Sequence, residues 1–360
     1  MSIILHPKRV LDVKKGVYIQ KPYISISNGT INKITREPQQ GIMIDLPNMT
    51  LLPGLIDTHV HITYCFPNES EGLKSNAFKT LKAGFTTVRD LGITGTIETL
   101  LKFIDSPNPQ PRILTSGKPI SKSDTSSTPV KVLLEQRHKS HVIKIFENEK
   151  SMIGKSKLKE IVESTNKPVA IHAGEVSEIH NAILSECCTI EHCTHIDDAN
   201  IELIKGTNIR ICPTLYLPTN YLNNWKDYLF MFRGFEKEAK EHFIRMEKYC
   251  IPNLKRAYER RANFVFGTDA VAGMHGNNWM EFESMLKLGM TPLEAIQCAT
   301  IYASEVVARG PYGIKYLGEI VPGFKADIIG CVGDPLNDIT CLSKIDFVMK
   351  DGTIFFNSKQ

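Results

Sequence analysis

The chain predicts an α/β protein, a (β/α)8 barrel with a small β-sandwich built from both chain ends. Three observations lead there. From His59 onward, short β-branched runs alternate with helix-period stretches. Eight such alternations over roughly 250 residues match the TIM-barrel module. Both ends instead read as short strands separated by tight turns. At 360 residues the chain exceeds one small domain and suits a barrel plus a module.

The expected barrel strands are 55–62, 85–91, 112–116, 141–146, 168–173, 188–192, 209–215 and 263–268. Helix-period segments fall at 75–83, 97–104, 130–139, 156–166, 176–185 and 199–205. The crossover 221–262 is longer than a link needs and rich in aromatic and charged residues, so it predicts an extra helix or lid over the mouth. Thr291-Pro292-Leu293-Glu294 opens the last helix: Thr291 as N-cap, Pro292 at the first position, Glu294 completing a capping box. The ends are assigned as 1–53 and 311–360, flanking a barrel of 54–310. Asn28-Gly29 predicts one hairpin, Asp351-Gly352 a second, and Pro47-Asn48 a further turn. Neither end has enough apolar surface for a core of its own, so the two should join.

Composition excludes several classes. Hydrophobic residues make up 42% and charged residues 23%, ordinary for a globular protein. A net charge of +4 gives no reason to expect nucleic acid or an anionic membrane as partner. No run approaches the ~18 apolar residues of a membrane span, and Met1 to Val10 lacks a signal-peptide core. A cytoplasmic location is the expectation. Nine cysteines, never in a CxxC pair, suit reduced and mostly buried thiols. Cys193, beside a ligand candidate, reads as a small core residue rather than an active-site one.

The most informative segment is Leu55-Ile-Asp-Thr-His-Val-His-Ile62, entered through Leu52-Pro-Gly54. Its period-two alternation puts His59 and His61 on one strand face, about 6–7 Å apart. Two imidazoles so placed can bind one metal ion at about 2.0–2.1 Å. Further donors fall at expected strand ends: Lys144, His172, His192 and Asp269. Functional residues of such barrels gather there. A buried Asp269 carboxylate without a cation would be costly.

Taken together, these motifs resemble the amidohydrolase superfamily, in its imidazolonepropionase-like and Xaa-Pro-dipeptidase-like branch. The resemblance rests on Leu52-Pro-Gly-Leu-Ile-Asp-Thr-His-Val-His61, Ala83-Gly-Phe-Thr-Thr-Val-Arg-Asp-Leu-Gly92, Ile143-Lys-Ile-Phe146 and Ile190-Glu-His192. It continues through Phe266-Gly-Thr-Asp-Ala270, His275-Gly276, Gly289-Met-Thr-Pro-Leu-Glu-Ala295 and Val321-Pro-Gly-Phe-Lys-Ala-Asp327. Nearly the whole chain is covered. The likeness implies two divalent metal ions, usually zinc, bridged by a carbamate formed from carbon dioxide on Lys144. His59, His61 and Asp269 would hold the first ion, His172 and His192 the second. It implies hydrolysis of an amide, dipeptide or cyclic amide by a metal-bound hydroxide, with Asp269 as general base and then acid.

Two departures are visible. Where the branch has a glycine- and histidine-containing loop, this chain has Ser121-Lys-Ser-Asp-Thr-Ser-Ser127. His172-Ala-Gly-Glu175 instead looks like a deaminase-type strand, which keeps an alternative open: a mononuclear zinc deaminase or imidazolone-type ring opener with Glu175 as proton shuttle. Glu175 could equally favour a helix N-terminus. A non-catalytic scaffold is disfavoured because all six ligand positions are filled. Tyr64, Tyr216, Tyr221 and His275 are the expected substrate contacts, and Trp225 is expected to pack the crossover. Arg89 is expected to form a structural ion pair with Asp90 or another barrel carboxylate. The expected partner is a small-molecule substrate, and relatives' habits extend this to assembly as a homo-oligomer, though no interface is legible.

Overall fold

The computed structural model describes residues 2–67, 71–146 and 152–358. The fold is mixed α/β. Among the described residues, seven strands form two all-parallel sheets. One holds Leu55–Val60, Phe85–Asp90 and Arg112–Thr115; the other holds Ile143–Phe146, Val169–Ala173, Thr189–His192 and Arg210–Cys212. Strands such as Leu55–Val60, Phe85–Asp90 and Thr189–His192 are buried along their whole length, as parallel strands are when both faces are covered, yet they carry many polar residues.

Short links join the sheets. Between Arg112–Thr115 and Ile143–Phe146, the His141 amide donates to the Thr115 carbonyl and Ile120 bridges to Ile145. On the opposite side, the segment 263–270 bridges to Ile211 through Phe264 and to Val60 through Ala270. This segment is not the regular eighth strand the sequence predicts. Asp269 takes a left-handed φ of 55°, and the Thr268 and Asp269 amides both donate to the His59 carbonyl. Two amides on one acceptor interrupt the one-to-one ladder.

The predicted helices are present with shifted ends, Gly72–Lys82, Val130–Glu135, Lys155–Glu163, Val176–Leu184 and Asp198–Ile204 among them, and Ile97–Ile104 as predicted. The Thr291 capping box forms, with the Glu294 carboxylate accepting the Thr291 amide at 2.8 Å. Residues 122–127, expected as loop, form a short helix, because Asp124 accepts the Ser121 amide at 2.8 Å and starts it. The long crossover folds as Tyr216–Asn223, Trp225–Tyr228 and the 24-residue helix Glu236–Glu259.

Both chain ends enter one eight-stranded sheet. Ile42–Pro53 pairs parallel with Ile3–Asp12 on one side and antiparallel with Ile328–Val332 on the other. This sheet encloses its own core, with Leu5, Ile24, Leu46, Leu51 and Phe347 fully buried. Asn28-Gly29 and Asp351-Gly352 form the predicted hairpins, all four residues at positive φ. Pro47-Asn48 makes no turn. Its strand runs straight on, and the register slips between Pro7 and Arg9 as a bulge, which accommodates a proline that cannot donate.

Candidate metal centre

His59 is the penultimate residue of the strand Leu55–Val60, and His61 follows directly after it. As alternation predicts, both Nε2 atoms turn to one place: Asp269 Oδ1 lies 3.3 Å from His59 Nε2 and 2.9 Å from His61 Nε2. Gly267 allows this approach, since a Cβ there would stand 2.3 Å from Cys212 Sγ and 2.9 Å from His59 Cβ. From the second sheet, His192 Nε2 lies 3.9 Å from Asp269 Oδ2, and the His172 and His192 rings stand 4.4 Å apart. Lys144 reaches the same cavity from the strand Ile143–Phe146. The six sequence-predicted ligands therefore share one wall of a cavity of about 690 Å³.

Two imidazoles, His61 and His192, are hydrogen-bonded through Nδ1, which leaves Nε2 for the cavity, and a third, His59, has a carboxylate beside its Nδ1. His61 Nδ1 is 3.0 Å from the Gly92 carbonyl, which only a protonated nitrogen can satisfy. His192 Nδ1 is 2.7 Å from Thr214 Oγ1. Glu191 Oε2 approaches His59 Nδ1 to 2.9 Å, off the axis of a hydrogen bond. Contacts of this kind fix the tautomer and ring plane of a metal-binding histidine. The backbone beneath is strained to match: His192, Cys193, Thr214 and Asp269 all have positive φ. For Thr214, β-branched, this is an unusual conformation that the surroundings must enforce.

The electrostatics are those of a buried cluster of nitrogen and carboxylate donors. Burial pushes the imidazolium forms of His59, His172 and His192 well below the ordinary range. Burial alone would raise the Asp269 carboxyl, but His59, His61 and Lys144 hold it at about 2. Burial also lowers the Lys144 ammonium, against the opposing pull of Glu191 and Asp269. Its Nζ is buried with no hydrogen-bond partner. Such a group is expensive to leave as it stands. The donor set fits divalent metal: His59, His61 and Asp269 present one ligand atom each, all within 4.8 Å of one another.

Other predicted residues divide. Tyr64 and Tyr221 lie on the cavity wall. Tyr216 and His275 lie outside it: the Tyr216 hydroxyl donates to Asn220 Oδ1 at 3.3 Å, and His275 is buried with Nδ1 3.0 Å from Thr80 Oγ1. Trp225 stacks on Phe232 at 5.4 Å, packing the crossover as expected. Arg89 is a buried structural cation whose partner is Glu191, at 3.2 Å, rather than Asp90. Glu175 is the N-cap of Val176–Leu184, its amide donating to Glu178 Oε2 at 3.0 Å. Cys193 is buried, its Sγ directed at the Ile190 carbonyl.

Sequence reasoning missed the braces. Asp57 accepts from the His59 and Thr268 amides, the Thr268 hydroxyl and the Asn278 amide, tying the first strand to the Asp269 segment. Glu281 accepts the Leu215 and Tyr216 amides just beyond Thr214. Burial raises Asp57 to about 6 and Glu281 to about 8. Asp57 and Glu191 carry a local signal, a carboxylate one or two residues before a candidate ligand histidine. Glu281 and Thr214 carry none.

Parallel strands whose ends present clustered histidine, aspartate and lysine donors define an α/β protein with a candidate metal centre. Residues 50–355 match the Amidohydrolase family, and the chain belongs to that family. Ochratoxinase of Aspergillus niger is 29% identical over 208 residues, 55% of this chain and 40% of that protein, so the match spans well under half of that relative. A dihydroorotase of Pediococcus pentosaceus is 33% identical over 92 residues, 24% of this chain and 20% of that one. The crystal structure of a Xaa-Pro dipeptidase with methionine bound in its active site superposes with a TM-score of 0.87 at 26% identity, covering 99% of this chain and 100% of that chain. The A. niger ochratoxinase crystal structure gives 0.81 at 20% identity, covering 99% and 96%; at that identity the likeness concerns the fold alone.

Proposed function

We propose that the protein is a metal-dependent hydrolase of a C–N bond in a small amide, dipeptide or cyclic amide. One observation carries the reading: imidazole Nε2 atoms and Asp269 converge beside a buried lysine nitrogen that has no partner. His59, His61 and Asp269 would hold one divalent ion, most naturally zinc, and His172 and His192 a second, with Lys144 between them as a carbamate. Bound ions would supply a water of lowered pKa and polarise the scissile carbonyl.

Lys144 is suited to carboxylation. Its buried ammonium is destabilised, and the free amine is the form that adds carbon dioxide. The new N–C bond forms as the amine loses one proton, and a cation that repels metal becomes an anion that binds it. Asp269 has two oxygens at the meeting point of the imidazoles. One can take a proton from the nucleophilic water while the carboxylate stays within reach of the leaving nitrogen. Glu191 and Arg89 hold the His59 side of the site, and Thr214 the His192 side. Tyr64 and Tyr221 on the wall would contact substrate.

The architecture supports the same reading. The two linked parallel sheets, with 263–270 as an irregular eighth strand, would make one barrel over 54–310. The terminal sheet with its own core would be the sandwich of 1–53 and 311–360. Among the described residues no helix is long and apolar enough to cross a membrane, and all nine cysteines are free, which suits a reducing cytoplasm.

The test is elemental analysis of the purified protein alongside turnover of N-acyl amino acids, Xaa-Pro dipeptides and cyclic ureides. Two metal equivalents per chain, activity lost to a chelator and restored by zinc, and slower reconstitution without bicarbonate are expected. Full activity with one equivalent would sink the two-metal form. No turnover of any C–N substrate by metal-replete protein would sink the hydrolase reading.

A further inference from the structure

The cavity has two unlike halves. Its floor is the polar ligand set. Its roof comes from the crossover after the strand Arg210–Cys212 and is apolar: Tyr221, Met231, Phe232, Phe235, Phe243 and Met246. We propose that this roof is a subsite for a bulky apolar group, aromatic by preference, carried on one side of the scissile amide. The inference rests on the hydrolase reading and adds the substrate class.

Three observations support it. The first is size: about 690 Å³ falls within the range of pockets that enclose drug-sized ligands, well beyond one amide and its immediate substituents. The second is order. Tyr221 stacks on Phe243 at 4.4 Å, Phe232 meets both rings edge-on at 5.5 and 5.6 Å, and Trp225 stacks behind Phe232 at 5.4 Å. Such a cluster presents a shaped wall, and a further ring can add to it edge-on or offset. The third is exposure at the open edge. Phe235 on the roof and Phe146 opposite, its ring 4.8 Å from His172, are 50% and 41% exposed. Aromatic residues needed only to pack the crossover would be covered by it. Among the described residues, both border the cavity and remain partly uncovered, as a surface does when its partner is a ligand. Glu238, His242 and Arg245 of the helix Glu236–Glu259 also border the cavity, so polar groups interrupt the apolar wall.

The test compares N-acetyl-alanine, N-acetyl-phenylalanine and N-naphthoyl-alanine with the zinc-loaded enzyme. At least one bulky substrate should exceed N-acetyl-alanine by about tenfold or more in kcat/KM, since even one methylene in an apolar pocket is worth roughly 10–200-fold. Phe235→Ala, at an exposed position that does not carry the fold, should lower kcat/KM for that substrate about tenfold while leaving N-acetyl-alanine within about twofold. Phe232→Ala should act in the same direction. Equal rates for all three, or equal losses for small and bulky substrates in both variants, would overturn the proposal. Binding is read separately. With Trp279→Phe, Trp225 is the sole tryptophan. A non-cleavable ketone isostere of N-acetyl-phenylalanine, with methylene in place of the amide nitrogen, should shift its fluorescence saturably, and Phe235→Ala should weaken that binding. Saturable binding without turnover of any amide would defeat the hydrolase reading and leave the apolar subsite standing. Turnover with no preference for bulk would do the reverse.

Discussion

The two corners of the candidate metal centre are built differently. At the first, His59, His61 and Asp269 lie within hydrogen-bond or near-contact distance, and Asp57 ties the two backbone segments together. At the second, His172 and His192 face one another, the Lys144 nitrogen has no partner, and no hydrogen bond holds the His172 ring among the described residues. The first corner is a ligand set whose donors already converge on one point. The second shares the Asp269 carboxylate only at longer range, Oδ2 lying 3.9 Å from His192 Nε2. A protein that buries a lysine among histidines pays heavily in desolvation unless the lysine is changed or neutralised. On the proposed two-metal reading, the contrast teaches that the first position would be preorganised and the second would be completed by carboxylation of Lys144.

The largest effect should come from the first corner. Asp269→Ala is expected to lower kcat by about 10²–10⁴-fold, the usual contribution of a positioned acid–base group, and to reduce metal content. Far-ultraviolet circular dichroism should stay unchanged, because the core lies below the ligands. Retained turnover would dissolve the distinction between the corners.

Lys144→Ala addresses the second corner directly. Activity should be lost, and acetate or propionate should restore part of it by supplying the missing carboxylate. Lys144→Arg should not be rescued, because the guanidinium keeps its charge and fills the space. Wild-type activity in Lys144→Ala would show that no carbamate is needed.

Thr214 asks how much the second corner depends on its brace. Thr214→Val removes the oxygen 2.7 Å from His192 Nδ1 and keeps the shape. Zinc affinity, followed by competition with a chromophoric chelator, should fall about 10–100-fold, while Thr214→Ser stays near wild type. Equal behaviour of the two variants would make Thr214 a packing residue.

Glu281 supports the same segment and gives a pH signature. Its folded-state value is raised from 4.5 to about 8 by burial, so the folded protein holds a proton that the unfolded chain releases. Stability from this group should therefore fall as pH rises from 4.5 towards 8. Urea unfolding at the two ends of this window should show that slope reduced in Glu281→Gln. An unchanged slope would mean the two backbone amides suffice to ionise the carboxylate. The smallest effect is expected from Tyr216→Phe. Its hydroxyl meets Asn220 away from the cavity, so kcat/KM should stay within about twofold, the scale of a marginal neutral hydrogen bond.

The sequence by itself determined the elements and the donors. Period-two alternation set His59 and His61 on one face, and both Nε2 atoms do meet Asp269. Local chemistry fixed the Thr291 capping box and the Asn28-Gly29 and Asp351-Gly352 hairpins, because capping and positive-φ turns depend on a few adjacent residues. Pro47-Asn48 misled for the complementary reason: pairing of the flanking residues, Leu46 with Pro7 and Thr50 with Arg9, carries the strand through them as a bulge. Only the tertiary structure decided which nitrogen of each histidine faces the cavity. That choice depends on Gly92, Thr214 and Glu191, which lie far from their histidines in sequence or across the fold. It also removed Tyr216 and His275 from the cavity wall and put Tyr64 and Tyr221 on it. Strand position follows from backbone periodicity, which nearby residues set. Side-chain direction at a strand end follows from packing between distant segments, and no local rule encodes it.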